Sequence, residues 1–447
     1  MKFRPGLVAA ASALLTLCAC SGSSGGGASA PPSPTTHTPV TITLWSGFTD
    51  RELGIINQAV QKFHADYPWI TVKSVGGQDD DKIVKSIRGG NAPDAALSFS
   101  ADRLGSYCSS GAWIDLDSYL QRDHVDVNTF PKPSQGYTAY QGKRCALPAL
   151  ADVYGLYYNT DMLKAAGYAA PPKTASELLD MAVKLTTYNA DGSIKVAGFV
   201  PLFGFYEMVP AHIAPSWGAR WVGGDGSSSL SSDPHWAAML RWQKKFVDAI
   251  GYDKLKRFTA GTGSSEFSAS NFFETGKVAM NIDGEYRTAF IKTEHPELHY
   301  DTAPFPVDDS QPTLYGAGYV TGNLIGIPKT SAGDKREAAW QLVKYLATDT
   351  DVQVLLSNGL RNVPTTVAAL GSNALTPDPQ FAKFLDIYQN PGSDSTPVTA
   401  SGSADQDLLT AYVDKWQAGS GGDLAAGLKK VDGQIDDELA QSDGGAP

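Results

Sequence analysis

Between Val40 and Val72 the chain changes period twice, and that change restricts the fold more than any other feature. Val40-Thr41-Ile42-Thr43-Leu44-Trp45 places apolar side chains at alternate positions, the period of a strand, before Ser46-Gly47 breaks it. Leu53, Ile56, Val60 and Phe63 then line one face of a helix that Asp50 can cap and Tyr67-Pro68 ends. Ile70-Thr71-Val72 returns to strand period. Strand, helix and strand at this spacing form a βαβ unit, which implies a parallel sheet with a right-handed crossover.

The alternation continues downstream. Ala95 to Phe99 reads as a short buried strand and Asp102 to Ser110 as helical, so the N-terminal part is α/β. Thr174-Ala175-Ser176-Glu177 is a capping box opening a helix with Leu178, Ala182 and Leu185 on one face, and Asp233-Pro234 opens another. Ala338, Ala339, Leu342, Val343 and Leu346 stripe a further helix. Thr376 to Asp405 reads as loop-rich and the last residues as frayed. No internal repeat is present.

Ahead of the folded body, Met1-Lys2-Phe3-Arg4 is a basic start, Leu7 to Leu17 is apolar, and Leu17-Cys18-Ala19-Cys20 ends the run. A transmembrane helix needs about 20 apolar residues, so a removed export signal fits better. The tetrapeptide resembles the bacterial lipobox, whose final Cys, here Cys20, becomes a lipidated N-terminus; the alternative is an ordinary secretory signal in which Cys20 has no role. Ser21 to Pro39 is almost devoid of apolar content and reads as a tether.

About 400 residues then remain, enough for two domains with substantial cores. With 36 Lys+Arg against 47 Asp+Glu the chain is acidic, which argues against nucleic acid as a partner and leaves any membrane contact to the lipid. Nine Trp and 19 Tyr suit a site that stacks rings on a polar ligand, as well as a core. With Cys18 lost and Cys20 lipidated, Cys108 and Cys145 are the pair left in the body, and outside the cytoplasm a disulfide is expected. Two thiols without a nearby His pair make a poor metal site. No cofactor is implied.

Several segments, in order along the chain, carry a family likeness: Thr43-Leu44-Trp45-Ser46-Gly47, Gly90-Asn91-Ala92-Pro93-Asp94, the run Ala146 to Asp161 followed by Leu163-Lys164-Ala165-Ala166-Gly167, Pro171-Pro172-Lys173-Thr174, Phe273 to Met280, and Ala338-Ala339-Trp340 with Tyr345-Leu346. From Val40 onward the chain resembles the extracellular solute-binding proteins of ABC importers, in particular the sugar-binding family that includes maltose-binding proteins. The resemblance implies two α/β lobes joined by crossing hinge strands, with ligand held in the cleft between them. It places crossings near Leu150, Val320 to Leu324 and Leu370. The expected organisation is a signal peptide over 1–19, a tether over 20–39, an N-terminal lobe from 40–149 and 322–370, and a C-terminal lobe from 150–321 and 371–443. The implied partners are a saccharide and the transmembrane subunits of an ABC permease, with the protein a monomer held to the membrane by its lipid.

A sugar site needs flat aromatic faces and short polar side chains that bond hydroxyls. In open parallel sheets ligands sit beyond the carboxyl ends of strands, where Trp45, Ser46, Gly47, Ser98 and Ser100 fall. Asp152 and Tyr154 follow the first crossing, against a bland alternative of surface Asp and core Tyr. Trp217 and Trp221, in Gly-rich surroundings that read as a loop, are candidates to stack on ligand or simply to pack. Asp283 precedes Gly284-Glu285-Tyr286, which stands where many relatives carry Gly-Pro-Trp or Gly-Ser-Trp; Tyr286 is a candidate to stack in place of that Trp, and Glu285 reads as a hydroxyl acceptor or merely as a solvated charge. Gly318 and Tyr319 match a Gly-rich segment before the second crossing, alternatively a plain hairpin turn. Gln78 at the rim begins an acidic run that also reads as a solvated helix start, and Arg361 is a weaker candidate.

Catalytic signatures are missing from the sequence: there is no G-x-S-x-G, H-E-x-x-H, P-loop or strand-helix G-x-G-x-x-G. His295 and His299 have helical spacing, but Pro296 intervenes and no third ligand is evident. The expectation is a binding protein and not an enzyme. Binders of glycerophosphodiesters, amino sugars or polyols share such a fold, and an exported glycoside hydrolase, needing only two placed carboxylates, is the rival from another class.

Overall fold

The computed structural model describes Ala30, Pro32 and residues 37–260 and 265–444. The signal, Cys20 and most of the tether lie outside the described residues. The opening unit forms as its periods dictate: strand β1 (Val40–Ser46), helix Asp50–Asp66, then β2 (Ile70–Val75), with β1 parallel to β2 and to β3 (Ala95–Ser98). Thr49, one residue before Asp50, occupies the cap position of that helix, which buries Ile56, Ala59, Val60 and Phe63.

Two long strands organise the rest. β4 (Ala146–Asn159) is buried along its whole length. Its first half, Ala146 to Val153, pairs antiparallel with β9 (Val320–Gly326), while Tyr154 to Tyr158 pairs with β7 (Met280–Gly284) and Leu156 to Asn159 with β8 (Tyr300–Ala303). β9 also pairs with β3, so the seven-stranded sheet runs β2-β1-β3-β9-β4-β7, with β8 beside β4. Strands β5 (Thr187–Tyr188) and β6 (Ile194–Val196) form a separate two-stranded ribbon. β4 and β9 thus pass from one lobe to the other, and the architecture is the two-lobe α/β fold with crossing hinge strands.

Each lobe has its own core. One cluster gathers Ile42, Leu44, Phe63, Leu97, Trp340 and Leu346, and another Leu178, Phe199, Trp236, Leu240, Phe246 and Leu409. At about 25 cal/mol per Å² of apolar surface, each buried Leu or Phe contributes about 1.5–3 kcal/mol against the entropy of ordering the chain. The capping box forms as expected, Thr174 accepting from Glu177 N and the Glu177 carboxylate reaching back to the Thr174 backbone. The disulfide joins Cys108 to Cys145 with Cα atoms 5.6 Å apart.

Two expectations need correction. The stretch read as loop-rich contains the helix Pro379–Gln389, capped by Asp378 and burying Phe381, Phe384, Ile387 and Tyr388. The described residues close with the helix Leu424–Gly444, whose Leu424, Leu428, Val431 and Ile435 enter the C-terminal core, while the final three residues lie outside the described ones. Tertiary burial of one face holds this glycine-interrupted segment helical where its intrinsic propensity does not.

Candidate functional site

The N-terminal wall is built from the carboxyl ends of β1 and β3. Trp45 is half-buried, Ser46 is buried, and a Cβ on Gly47 would run into the Phe99 ring, so a larger residue there requires that ring to move. Phe99 itself is 41% exposed and meets Phe48 edge-on at 4.7 Å. Ser98 is fully buried and its hydroxyl is engaged with the Ser100 backbone, so it serves the turn and does not face ligand. Gln78 donates to Gly76 O at 3.0 Å. The acidic run after it is a helix start, Asp79 capping the helix Asp80–Arg88 by accepting from Lys82 N at 2.8 Å.

The opposite wall is aromatic and acidic. Tyr154 stacks on His212 with ring centroids 3.9 Å apart, and Tyr319 lies 4.8 Å from His212 and 5.7 Å from Tyr154. Burial pulls the His212 pKa down to about 4, so the ring is neutral at pH 7. Its Nδ1 faces Glu207 O at 2.8 Å and the Glu207 carboxylate at 3.3 Å, which assigns the proton to Nδ1 and leaves Nε2 an acceptor. Tyr286 donates to Glu207 Oε1 at 2.7 Å, and Phe267, 56% exposed, stands 6.0 Å from its ring. Glu207 also meets Glu266, whose pKa burial and the neighbouring Glu207 and Asp283 raise to about 9. Gly318 admits close contact, since a Cβ there would lie 2.7 Å from Ile387. It leads into β9 and is not a hairpin turn, because its backbone pairs instead with Ser393 and Asp394. Tyr319 Oη bonds Thr396 at 3.0 Å, and Thr396 donates in turn to Asp102, so one hydroxyl links the two walls.

Several residues expected to face ligand are committed elsewhere. Trp217 ends the helix Pro210–Trp217 and is not in a loop. Gly218, at φ +68°, terminates that helix and turns the indole inward. Trp217 is 3% exposed and packs on Trp242 at 5.4 Å; Trp221 is likewise buried, edge-on to Trp236 at 4.7 Å. Asp283 is buried and accepts from Arg287 Nε at 2.9 Å, while Arg287 also meets Glu274 at 3.1 Å. Burial, offset by that arginine, holds the Asp283 pKa near 6. Arg361 contacts Thr376 O at 3.0 Å and Asp378 at 3.4 Å, anchoring the start of the helix Pro379–Gln389. Glu285 is fully buried: Oε2 accepts from Val153 N at 2.6 Å and Oε1 from Asn362 at 3.1 Å. Asp152, nearly buried, accepts from Asn323 at 3.1 Å and from Asn362. His295 and His299 do not converge, His299 pairing with Asp161 at 2.8 Å and His295 with Ala269 O at 2.8 Å.

Phe99, Asp102, Glu207, His212, Glu266 and Thr396 were not singled out in the sequence. Phe99 had a signal, since it stands between two serines chosen for their place at a strand end. Glu207 and His212 had none, because distant segments bring them to Tyr154.

The Tyr154 group offers acceptors in excess of donors beside its aromatic rings, which suits a neutral, hydroxyl-rich molecule better than an anion. Comparison with known proteins agrees with the architecture. The mannotriose-bound structure of CpMnBP1 superposes with a TM-score of 0.75 at 26% identity, covering 88% of this chain and 99% of that one. The GacH receptor of Streptomyces glaucescens GLA.O matches at a TM-score of 0.71 and 18% identity, over 90% and 98% of the two chains. In sequence, the maltotriose-binding protein of Pyrococcus abyssi is 21% identical over 356 residues, 78% of this chain and 72% of its own. A binding protein of Brucella abortus is 25% identical over 298 residues, 64% of this chain and 66% of its own length, just short of two thirds. The sequence profile described as "Bacterial extracellular solute-binding protein" matches residues 58–383. That match covers nearly three quarters of the chain, including both hinge strands, and the chain belongs to the bacterial extracellular solute-binding proteins.

Proposed function

We propose that this protein captures a sugar or short oligosaccharide between its lobes and passes it to the permease of an ABC importer without chemical change. The observation that carries this is the Tyr154, His212 and Tyr319 ring group beside the Glu207 carboxyl, in a fold whose relatives include a mannotriose-bound protein and a maltotriose-binding protein. Ring faces stack on the C–H surface of a sugar, and carboxyl and imidazole acceptors take its hydroxyl protons. Closure follows because ligand contacts both walls in one lobe arrangement and only one in the other. Lipid on Cys20 and the tether to residue 39 would keep the receptor beside its transporter. On this reading the lobes divide at 149/150, 321/322 and 370/371. Cys20→Ser is expected to release the protein from membranes with ligand affinity unchanged.

A thermal-shift screen over mannose- and glucose-based oligosaccharides tests the reading. Ligand at 100 times its dissociation constant stabilises by about 2.7 kcal/mol, a shift such a screen detects. Silence across all saccharides, or release of reducing ends at enzymatic rates, would overturn it.

A further inference from the structure

Residues 395–402 leave the C-terminal lobe, touch the N-terminal lobe and return. At one end Asp394 is fastened beside β9, its N–H donating to Gly318 O at 3.2 Å and its carbonyl accepting from Val320 N at 2.9 Å. At the other end the helix Ala404–Gln417 sends Leu409 and Val413 into the C-terminal core. Between these anchors the strap meets the N-terminal lobe at two points. Thr396 Oγ1 donates to Asp102 in the short turn Ala101–Arg103, and with that proton used, Tyr319 Oη donates to Thr396 from 3.0 Å. Further along, the Thr399 carbonyl lies against Gly105 of the helix Leu104–Ser109, so closely that a Cβ on Gly105 would run into it. Thr396 and Thr399 are both buried, although they sit in a loop.

Both sides of this contact are fixed to their own lobe. The tip of the strap is a self-held turn: Gly402, at φ +68°, donates its N–H to Thr399 O at 3.1 Å, and Thr399 Oγ1 donates to Gly402 O at 3.1 Å. The helix that it meets is tied to the base of β4 by the disulfide from Cys108 to Cys145. Tyr107 of that helix stacks on Trp113 at 4.2 Å and donates to Asp80 at 3.0 Å. When the lobes turn about β4 and β9, the helix therefore cannot follow the strap, and the strap cannot follow the helix. The two contacts part together.

We propose that residues 395–402 form a clasp, carried by the C-terminal lobe, that fastens the closed form to the N-terminal lobe in the absence of ligand. Contacts made only when the lobes are together shift the open-closed equilibrium toward closure by their own free energy. The clasp thereby sets how much of the ligand-free protein is closed. For a ligand that enters and leaves through the open form, it slows both steps. The proposal takes lobe motion from the reading above, and not the ligand.

Small-angle X-ray scattering on ligand-free protein tests this without any sugar, so its failure is distinguishable from silence in the saccharide screen. Gly105→Ala puts a methyl group where the Thr399 carbonyl lies, and because alanine favours helix over glycine the helix Leu104–Ser109 is not itself weakened. Thr396→Val removes the hydroxyl that joins Tyr319 to Asp102 and adds no bulk. Both variants are expected to show a larger radius of gyration than the wild type. The ratio of closed to open forms should fall about fivefold for the one hydrogen bond between lobes, and further in Gly105→Ala. A Gly105→Ala protein with wild-type circular dichroism and the wild-type radius would overturn the proposal. Should that variant not fold, Thr396→Val decides, and an unchanged radius there overturns it equally.

Discussion

Replacing Arg287 with methionine should damage stability strongly, although this residue was not itself expected to touch ligand. The guanidinium is fully buried, bonding Asp283 at 2.9 Å and Glu274 at 3.1 Å, with its face 5.1 Å from the Phe290 ring. Removing one partner of a buried ion pair leaves uncompensated charge and costs about 3–5 kcal/mol. Here two acids are stranded, but both can take up a proton. Burial already sets the Glu274 pKa near 7 and the Asp283 pKa near 6, with Arg287 the main influence holding each down. Without the arginine both rise further. Since each folded value exceeds its unfolded one, each acid's contribution is fully present below the unfolded value and is lost as pH rises through the folded value; in the variant this loss extends to higher pH. The deficit should therefore be smallest near pH 5 and approach the full figure near pH 8. Urea unfolding of wild type and Arg287→Met at both pH values measures it, as a drop in midpoint with the slope unchanged. A loss below about 1 kcal/mol at pH 8, or one equal at both pH values, would refute the account of Arg287 as counter-ion to two buried acids.

Three further outcomes are expected. Replacing Cys108 and Cys145 by alanine opens a loop of 37 residues and should cost about 4 kcal/mol on the chain-entropy estimate, seen as a lowered unfolding midpoint that reducing agent reproduces in the wild type. Trp217→Ala should destabilise by about 3–5 kcal/mol while Trp217→Phe retains ligand affinity; a tenfold affinity loss in a stable Phe variant would restore the indole to the cleft. Tyr154→Ala should lower affinity for whichever saccharide the screen finds by tenfold or more, about 1.4 kcal/mol, by removing the ring that stacks on His212, and isothermal titration reads this directly.

The local code of this chain is legible wherever neighbours in sequence decide the outcome. Alternation at Val40–Trp45, the apolar face of Ile56, Val60 and Phe63, and the Thr174 to Glu177 capping box all act within a turn or a strand, and each formed where expected. The parallel pairing of β1 with β2 follows from the crossover between them. The helix Leu424–Gly444 was not legible, because Gly427 and Gly433 weaken it and the core contacts of Leu428 and Val431 come from elsewhere. Trp217 shows the same limit: glycines around it suggested a loop, whereas Gly218 only ends a helix.

The sequence by itself determined an α/β body, its sugar-binding likeness and the cysteine pair, since these rest on composition, period and short motifs. Tertiary structure alone decided which polar groups have charge or hydroxyls to offer a ligand. Asp152, Asp283, Glu285 and Arg361 have the chemistry of sugar contacts, yet Asn362, Arg287, Val153 and Asp378 had claimed them. Hydrogen-bond capacity is finite and is spent on whichever partner folding brings within about 3 Å. Those partners come from segments far apart in the chain, so the fold decides which acids stay available and which are bound within the protein.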